Sequence, residues 1–110
     1  MSLTLHVLEA FAKEAKRLAK KYKNLSRDLC ELRSTLMENP KAGIELGHGC
    51  YKIRLANSSI PTGKSGGFRV IYYYVDPHDN LYLMSIYSKT DLENISEEKI
   101  IDILRGNNLA

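Results

Sequence analysis

A run of thirty residues, from Leu46 to Val75, carries basic side chains and no acidic ones. Its four cations are Lys52, Arg54, Lys64 and Arg69. Over the whole chain, by contrast, 13 of the 110 residues are Asp or Glu. If the run folds back on itself, its cations come together, and such a patch attracts polyanions, phosphodiesters above all. Charge alone leaves open the alternative that this is an ordinary solvated basic face.

The run also contains Gly63-Lys64-Ser65, which at first resembles the phosphate-binding loop of nucleotide-binding enzymes. That loop needs the pattern GxxxxGK[ST] between a strand and a helix, so that backbone N–H groups and the helix dipole point at phosphate. Here Ser58 stands where the first glycine is required, and a strand pattern follows Gly67. The sequence therefore excludes this motif. The loop is either a plain hairpin connection or a tip that brings Lys64 beside Arg69.

Aromatic and histidine side chains offer fewer candidates. Tyr73 is expected to face opposite to Tyr72 and Tyr74, because successive strand residues alternate, so at least one of the three must pack in the core. A tyrosine on the exposed side could stack on bases or donate hydrogen bonds. The histidines are scattered, and His48 lies in a Gly-His-Gly turn, where it is expected to face solvent rather than bind a metal.

Two helices are predicted ahead of this run. Apolar residues recur at three- and four-residue spacing from Leu8 to Tyr22 and again from Leu25 to Leu36. Ser26 is predicted to cap the second helix, and Asn39-Pro40 to end it. A short apolar stretch, Leu3 to Val7, is predicted to be an edge strand.

After Pro40 the hydrophobic pattern becomes that of strands. Three segments have it: residues 50–56, 68–75 and 81–89. Residues 76–80 are predicted to form the turn between the last two, and Ser96 to begin a short final helix. The order strand, helix, helix, three strands, helix indicates an α+β fold, with one layer of helices on an antiparallel sheet, in a single domain of residues 1–110.

Composition excludes several classes of protein. The apolar fraction of 44% and the charged fraction of 26% are ordinary for a globular domain. No apolar run approaches the roughly 20 residues of a membrane span, and no signal peptide is expected. Cys30 and Cys50 lack CxxC spacing and are expected to be reduced, as in a cytoplasmic protein.

The motifs together resemble the RelE/ParE superfamily of toxins from type II toxin–antitoxin systems. Four stretches carry the resemblance, in this order: Asn39-Pro40, Tyr51-Lys52-Ile53-Arg54-Leu55, Gly67-Phe68-Arg69-Val70-Ile71-Tyr72 and Ser88-Lys89. The Gly-Lys-Ser-Gly-Gly insertion before the arginine resembles the HigB-like branch in particular. The match is close over residues 39–90 and covers the helices only in outline.

The resemblance implies both a fold and an activity. The RelE-like fold has an antiparallel sheet, made mixed by an N-terminal edge strand, with two N-terminal helices packed on it and a short C-terminal helix. The implied activity is that of a cytoplasmic endoribonuclease that needs no metal or other cofactor, cuts messenger RNA on the ribosome and inhibits translation. In this reaction the RNA 2′-hydroxyl attacks the adjacent phosphorus, leaving a 2′,3′-cyclic phosphate and a 5′-hydroxyl.

The resemblance also implies roles for the cations. Lys52 would be the general base, which requires neighbouring cations or burial to lower its pKa. Arg69 would clamp the scissile phosphate with its planar guanidinium group. Arg54 and Lys64 would hold flanking phosphates.

The rim of the site and the general acid are less well defined. Lys89 and Tyr72 are weaker candidates for the rim. RelE sequences place an arginine after the closing Gly-Lys and a catalytic tyrosine in the C-terminal segment, whereas here Thr90 follows Lys89 and no tyrosine follows Tyr87. Tyr87, two residues from Lys89 on one predicted strand face, is therefore the candidate that could donate the proton.

The implied partners are a HigA-like antitoxin with a helix-turn-helix domain, the ribosome and messenger RNA. Operator DNA would be reached only through the antitoxin, and no membrane is involved. Two alternatives stay open. A ParE-like inhibitor of DNA gyrase shares the fold but usually lacks the basic set kept here at Lys52, Arg54 and Arg69. A catalytically degenerate toxin would only bind its antitoxin or RNA.

Overall fold

The computed structural model describes residues 3–60, 67–75, 79–89 and 94–109. Within these ranges the elements are β1 (Thr4–Val7), α1 (Glu9–Lys21), α2 (Leu25–Glu38), β2 (Ile44–Gly47), β3 (Cys50–Leu55), β4 (Phe68–Val75), β5 (Asn80–Ser88) and α3 (Glu97–Gly106). The strands form one sheet in the order β1-β5-β4-β3-β2. β1 runs parallel to β5 and the other neighbours are antiparallel, which confirms the mixed sheet with an N-terminal edge strand.

The apolar stripes of α1 and α2 cover one face of the sheet. The buried helix residues are Phe11, Leu18, Leu25, Leu32 and Leu36. They form one cluster with the sheet residues Leu55, Phe68, Val70, Tyr72, Tyr74, Leu81, Leu83 and Ile86. Each large apolar side chain buried in this way contributes about 1.5–3 kcal/mol relative to its exposed state. The three- and four-residue spacing of apolar residues in the sequence therefore predicted correctly that these helix faces are buried.

The start of α2 is tied to the chain that follows β3. Its N-cap is Asn24 and Ser26 lies within its first turn, so the prediction that Ser26 caps this helix is wrong. The Asn24 backbone N–H donates to Ser59 Oγ at 2.9 Å, and its side-chain amide donates to Ser58 O at 3.2 Å. The buried Asp28 carboxylate accepts from Ser58 N at 3.0 Å. These bonds fix the segment that leaves β3.

α3 packs on the opposite face, which corrects the expectation of a single helical layer. Its buried residues form a second cluster with the sheet: Ile100, Ile103, Leu104, Cys50, Ile71, Met84 and Tyr87. Because neighbouring residues of a strand point to opposite faces, Ile71 lies across β4 from Val70 and Tyr72, which belong to the first cluster. Ser96 caps α3 as predicted, accepting from Lys99 N at 3.1 Å.

β2 is an element that the sequence pattern did not predict. It pairs with β3 through the turn Gly47-His48-Gly49, in which all three residues have positive φ. Glycine adopts such backbone without steric cost, so the turn favours a tight hairpin. His48 is exposed, as expected, and its Nε2 lies 3.3 Å from Glu97 Oε1.

Two further properties concern the described part of the chain. No helix there is both long and apolar enough to cross a membrane. Cys30 is exposed and Cys50 is buried, and both are free thiols, as the sequence predicted. Lys64 and residues 76–78 of the predicted turn lie outside the described ranges.

Candidate active site on the α3 face

Three candidate residues form a row across the sheet. Arg54 of β3 is directly paired with Arg69 of β4, and Arg69 is directly paired with Tyr87 of β5. Paired side chains on antiparallel strands point to the same face, with Cβ atoms about 4.5–5.5 Å apart. Lys52 precedes Arg54 by two residues and therefore shares that face. The structure thus brings together three cations that lie up to 17 positions apart, from Lys52 to Arg69.

A change of register in β5 places Tyr87 in this row. The pairing of β4 with β5 shifts between Ile71 and Tyr72, which leaves Met84 as an extra residue of β5. Strict alternation would put Tyr87 on the same face as Leu83, against α1 and α2. Because the bulge moves every later residue by one position, Tyr87 turns to the α3 face instead.

A cavity of about 180 Å³ opens beside the arginines. It is lined by Ala42, Gly43, Ile44, Lys52, Ile53, Arg54 and Arg69. Arg54 stands exposed at its edge, whereas Arg69 is 6% exposed and forms part of its floor. One interaction of the Arg69 guanidinium is a hydrogen bond from Nη1 to Phe68 O at 3.4 Å. Among the described residues, the lining contains three cations and no carboxylate, which suits a phosphate group.

Lys52 also borders a second cavity, of about 200 Å³. This one is lined by Leu46, Lys52, Tyr87, Asn94, Ile95, Glu97 and Ile100. The Lys52 Nζ donates a hydrogen bond to Asn94 Oδ1 at 3.2 Å. The carboxylate of Glu97 is part of the lining of this second cavity and lies close to His48. Among the described residues, Lys52 therefore stands between a cavity lined by basic and apolar groups and a second cavity that also contains a carboxylate.

Tyr87 is covered by the segment that leads into α3. Its side chain is 4% exposed, and its hydroxyl is buried without a hydrogen-bond partner among the residues that the structure describes. Burial raises the pKa of Tyr87, and the backbone at Ile95 and the charge of Arg69 act against that increase. The hydroxyl therefore stays protonated at neutral pH, but it must become accessible before it can donate its proton to a substrate.

Tyr72 is a core residue, so the prediction that it lies at the rim of the site is wrong. Its side chain is 0% exposed and stacks on Tyr51, with ring centroids 5.2 Å apart. Its hydroxyl accepts a hydrogen bond from Gly43 N at 3.0 Å. Burial raises its pKa, the bond from Gly43 lowers it, and Tyr51 adds a smaller increase. Because Gly43 lines the first cavity, Tyr72 supports the site from beneath.

The remaining candidates lie away from this centre or outside the described chain. Lys89 is exposed just beyond β5, where its backbone N–H donates to Gly67 O at 3.4 Å, and it lines neither cavity. Lys64 lies in the segment 61–66, which the structure does not describe. Sequence reasoning missed Gly43 and Asn94, because neither belongs to a recognisable motif. Within the described ranges, no three His, Cys, Asp or Glu side chains are arranged to hold a metal ion.

Comparison with known proteins agrees with this fold. The model of the family described as the RelE toxin of the RelE/RelB toxin–antitoxin system matches residues 9–105. The chain therefore belongs to the RelE toxin family, and it is a toxin of the type II toxin–antitoxin class.

Solved structures of Escherichia coli proteins are similar in fold. A free-state double arginine-to-alanine variant of the toxin RelE has 24% identity and a TM-score of 0.59, covering 84% of this chain and 90% of that one. The isolated RelE toxin has 24% identity and a TM-score of 0.54, covering 94% and 98%. The intact RelBE toxin–antitoxin complex has 26% identity and a TM-score of 0.51, covering 77% and 94%. The RelE-like fold predicted from the sequence is thereby confirmed.

Proposed function

We propose that this toxin is a ribosome-dependent messenger RNA endonuclease that cuts by metal-independent attack of the RNA 2′-hydroxyl. The observation that carries the proposal is the direct pairing of Arg54 with Arg69 beside Lys52, around a cavity whose described lining residues include no carboxylate. Such a cavity binds a phosphodiester and favours the additional negative charge that develops on the phosphorane.

The proposed chemistry is divided among Lys52, Arg54 and Arg69. Lys52, in its neutral form, accepts the proton of the 2′-hydroxyl, and general bases of this kind contribute about 10²–10⁴-fold. Arg69 on the cavity floor and Arg54 at its edge donate hydrogen bonds to the phosphoryl oxygens. A single stabilising donor of this kind is worth about 10²–10³-fold in rate. No step in this scheme calls for a metal ion or another cofactor.

Tyr87 is the proposed general acid for the leaving 5′-oxygen. Its place in the row beside Arg69 and its raised pKa support the role, because the proton is still held at neutral pH. The hydroxyl lies beneath Ile95 and the start of α3, so substrate must displace part of this cover. Lys89 and Lys64 would bind flanking phosphates; Lys64 lies outside the described residues.

We further propose that a cognate antitoxin neutralises the toxin by covering the basic face with acidic groups or by blocking ribosome entry. The E. coli relative whose structure is that of a toxin–antitoxin complex supports the existence of such a partner. A HigA-like antitoxin with a helix-turn-helix domain would link the toxin to its operator DNA. The HigB-like assignment rests on the insertion at residues 63–67, and a ribosome-dependent enzyme would act in the cytoplasm.

The test is cleavage of a defined messenger RNA by purified protein, with and without programmed ribosomes. We expect cuts within the ribosomal A site that end in 2′,3′-cyclic phosphate. Arg69→Ala is expected to lower the single-turnover rate by about 10²–10³-fold. Arg27→Ala, which removes an exposed arginine from α2 on the other face, is the matched control and should cut like the wild type.

Other outcomes point to other functions. Cutting without ribosomes would keep the nuclease and discard ribosome dependence. If wild type and Arg69→Ala are equally inactive, the nuclease proposal fails. Growth arrest with blocked DNA replication would then identify a ParE-like gyrase inhibitor, and the absence of growth arrest would identify a degenerate toxin.

A further inference from the structure

We propose that Asn94 is a positioning residue that holds the Lys52 amine at the edge of the phosphate cavity. The inference rests on the proposed nuclease function, in which Lys52 is the base. The Lys52 Nζ donates to Asn94 Oδ1 at 3.2 Å across 42 positions of sequence. Both side chains line the second cavity, and Lys52 also lines the first, so the contact fixes the amine at the boundary between them.

A lysine needs such a contact to serve as a base. Its side chain has four rotatable bonds and a strongly hydrated amine, so an unrestrained lysine samples many positions. A general base must lie within hydrogen-bond reach of the proton that it removes, and small displacements of a reacting group reduce rates strongly. Lys52 is half-buried along its stem, and Asn94 provides a fixed acceptor for its end.

Asn94 is itself held by the anchoring of α3. Ile95, the next residue, packs on the cluster between α3 and the sheet. Ser96 then caps α3 by accepting from Lys99 N at 3.1 Å. Asn94 therefore directly precedes a packed segment, whereas its side chain projects to the exposed surface. Changing this side chain is not expected to disturb the core.

An amide is chemically suited to this task. Its oxygen accepts an N–H bond from either the ammonium or the neutral amine, so it can orient the base before and after proton transfer. A carboxylate at the same place would stabilise the ammonium and oppose deprotonation. Among the residues that the structure describes, the charged groups around the amine are Arg54 and Arg69 on the sheet and Glu97 on α3, with His48 beside Glu97.

Two substitutions of Asn94 separate the effect of orienting the Lys52 amine from the effect of a charge placed beside it. Asn94→Ala removes the acceptor and is expected to lower kcat about tenfold, with KM within twofold of the wild type. Asn94→Asp keeps an acceptor but adds a charge, so the rise of rate with pH should move up by about one unit. The matched control is Asn108→Asp at the far end of α3, where the residue is exposed and has φ 58°. Its pH–rate profile should coincide with that of the wild type.

The assay is single-turnover cleavage on programmed ribosomes between pH 6 and pH 10, with toxin binding measured on a messenger that is 2′-deoxy at the cut nucleotide. Binding should be unchanged in Asn94→Ala, and NMR relaxation of the Lys52 side chain should show greater mobility. If the wild type cuts and Asn94→Ala keeps its kcat, its pH profile and an equally ordered Lys52, the inference is overturned while the nuclease stands. If the wild type does not cut, the proposed function fails, and the positioning role fails with it.

Discussion

Arg54 and Arg69 occupy directly opposite positions on neighbouring antiparallel strands. Like charges in this arrangement are destabilising by roughly 0.2–1 kcal/mol, and Arg69 is also almost completely buried. The pair concentrates two positive charges at one point of the sheet. An anion bound between them would interact favourably with both guanidinium groups and reduce the repulsion between them.

Removal of one charge should therefore stabilise the free protein and damage its function. Arg54→Gln is expected to raise the free energy of unfolding by about 0.5 kcal/mol. The same change should lower the cleavage rate by about 10–100-fold, because one phosphate donor is weakened. Chemical denaturation and single-turnover cleavage measure the two effects.

The control for this prediction is Arg27→Gln, at an exposed position of α2. Exposed substitutions away from special contacts usually change stability by less than about 0.5 kcal/mol. If Arg54→Gln lowers the free energy of unfolding instead, repulsion between Arg54 and Arg69 is not the main effect of Arg54 on stability.

Tyr87→Phe tests whether the buried hydroxyl serves catalysis or merely fills space. The hydroxyl makes no hydrogen bond of good geometry with the described residues and has only a weak interaction with the Ile95 backbone, so its removal should change the free energy of unfolding by less than about 1 kcal/mol. If Tyr87 is the general acid, the cleavage rate should fall by about 10²-fold or more while substrate binding is unchanged. Full activity in a folded Tyr87→Phe protein would eliminate it as the acid.

The buried thiol of Cys50 gives a pH dependence of stability. Burial raises the pKa of Cys50 from 9.0 to about 11. Below pH 9 the thiol is protonated in both folded and unfolded chains, so its contribution is fully present. Between pH 9 and pH 11 only the unfolded thiol ionises, and the free energy of unfolding should fall by about 1.4 kcal/mol per pH unit from this group.

Cys50→Ala isolates that contribution from the other groups that titrate at high pH. Its denaturation midpoints should depend less steeply on pH in this window than those of the wild type. Parallel curves would show that the thiol ionises as readily in the folded state as in the unfolded one. Thiol labelling at pH 7.5 gives a second check, because Cys30 is exposed and should react long before Cys50.

The fold followed from the sequence wherever a periodic pattern reported burial. The helical spacing gave α1 and α2, and the apolar, aromatic-rich segments gave β3, β4 and β5 within a residue or two. The face on which α3 packs was not predictable in this way. Ile100 and Leu104 show that the helix is buried, but not against which side of the sheet. β2 was missed because four residues beside a glycine turn carry too little pattern.

The site was predictable in part, and the reasons differ from residue to residue. The basic run and its motif order pointed to Lys52, Arg54 and Arg69, which the structure places on one face of the sheet. The place of Tyr72 was mistaken because the sequence does not say that helices cover both sides of β4, or that Tyr72 lies on the side packed against α1 and α2. Asn94 could not be found, since its contact with Lys52 joins segments 42 positions apart and depends on how α3 docks.

Gly43 links the core to the active site, and replacing it should affect both. A Cβ at Gly43 would lie 2.8 Å from Lys52 O and 3.1 Å from the Tyr72 hydroxyl, so the backbone of β3 or the Tyr72 ring must move. Gly43→Ala is therefore expected to lower the free energy of unfolding by about 1–3 kcal/mol. Cleavage should fall as well, because that carbonyl belongs to Lys52, the proposed base.

Gly106→Ala is the matched control for this substitution. A Cβ at Gly106 would meet nothing within 4 Å, and the residue closes α3. Its replacement should raise stability by about 0.4–1 kcal/mol and leave cleavage unchanged. Denaturation and cleavage of both variants, measured side by side, decide the matter. If Gly43→Ala retains wild-type stability and rate, the close packing of Gly43 on Tyr72 and Lys52 does not hold the site in place.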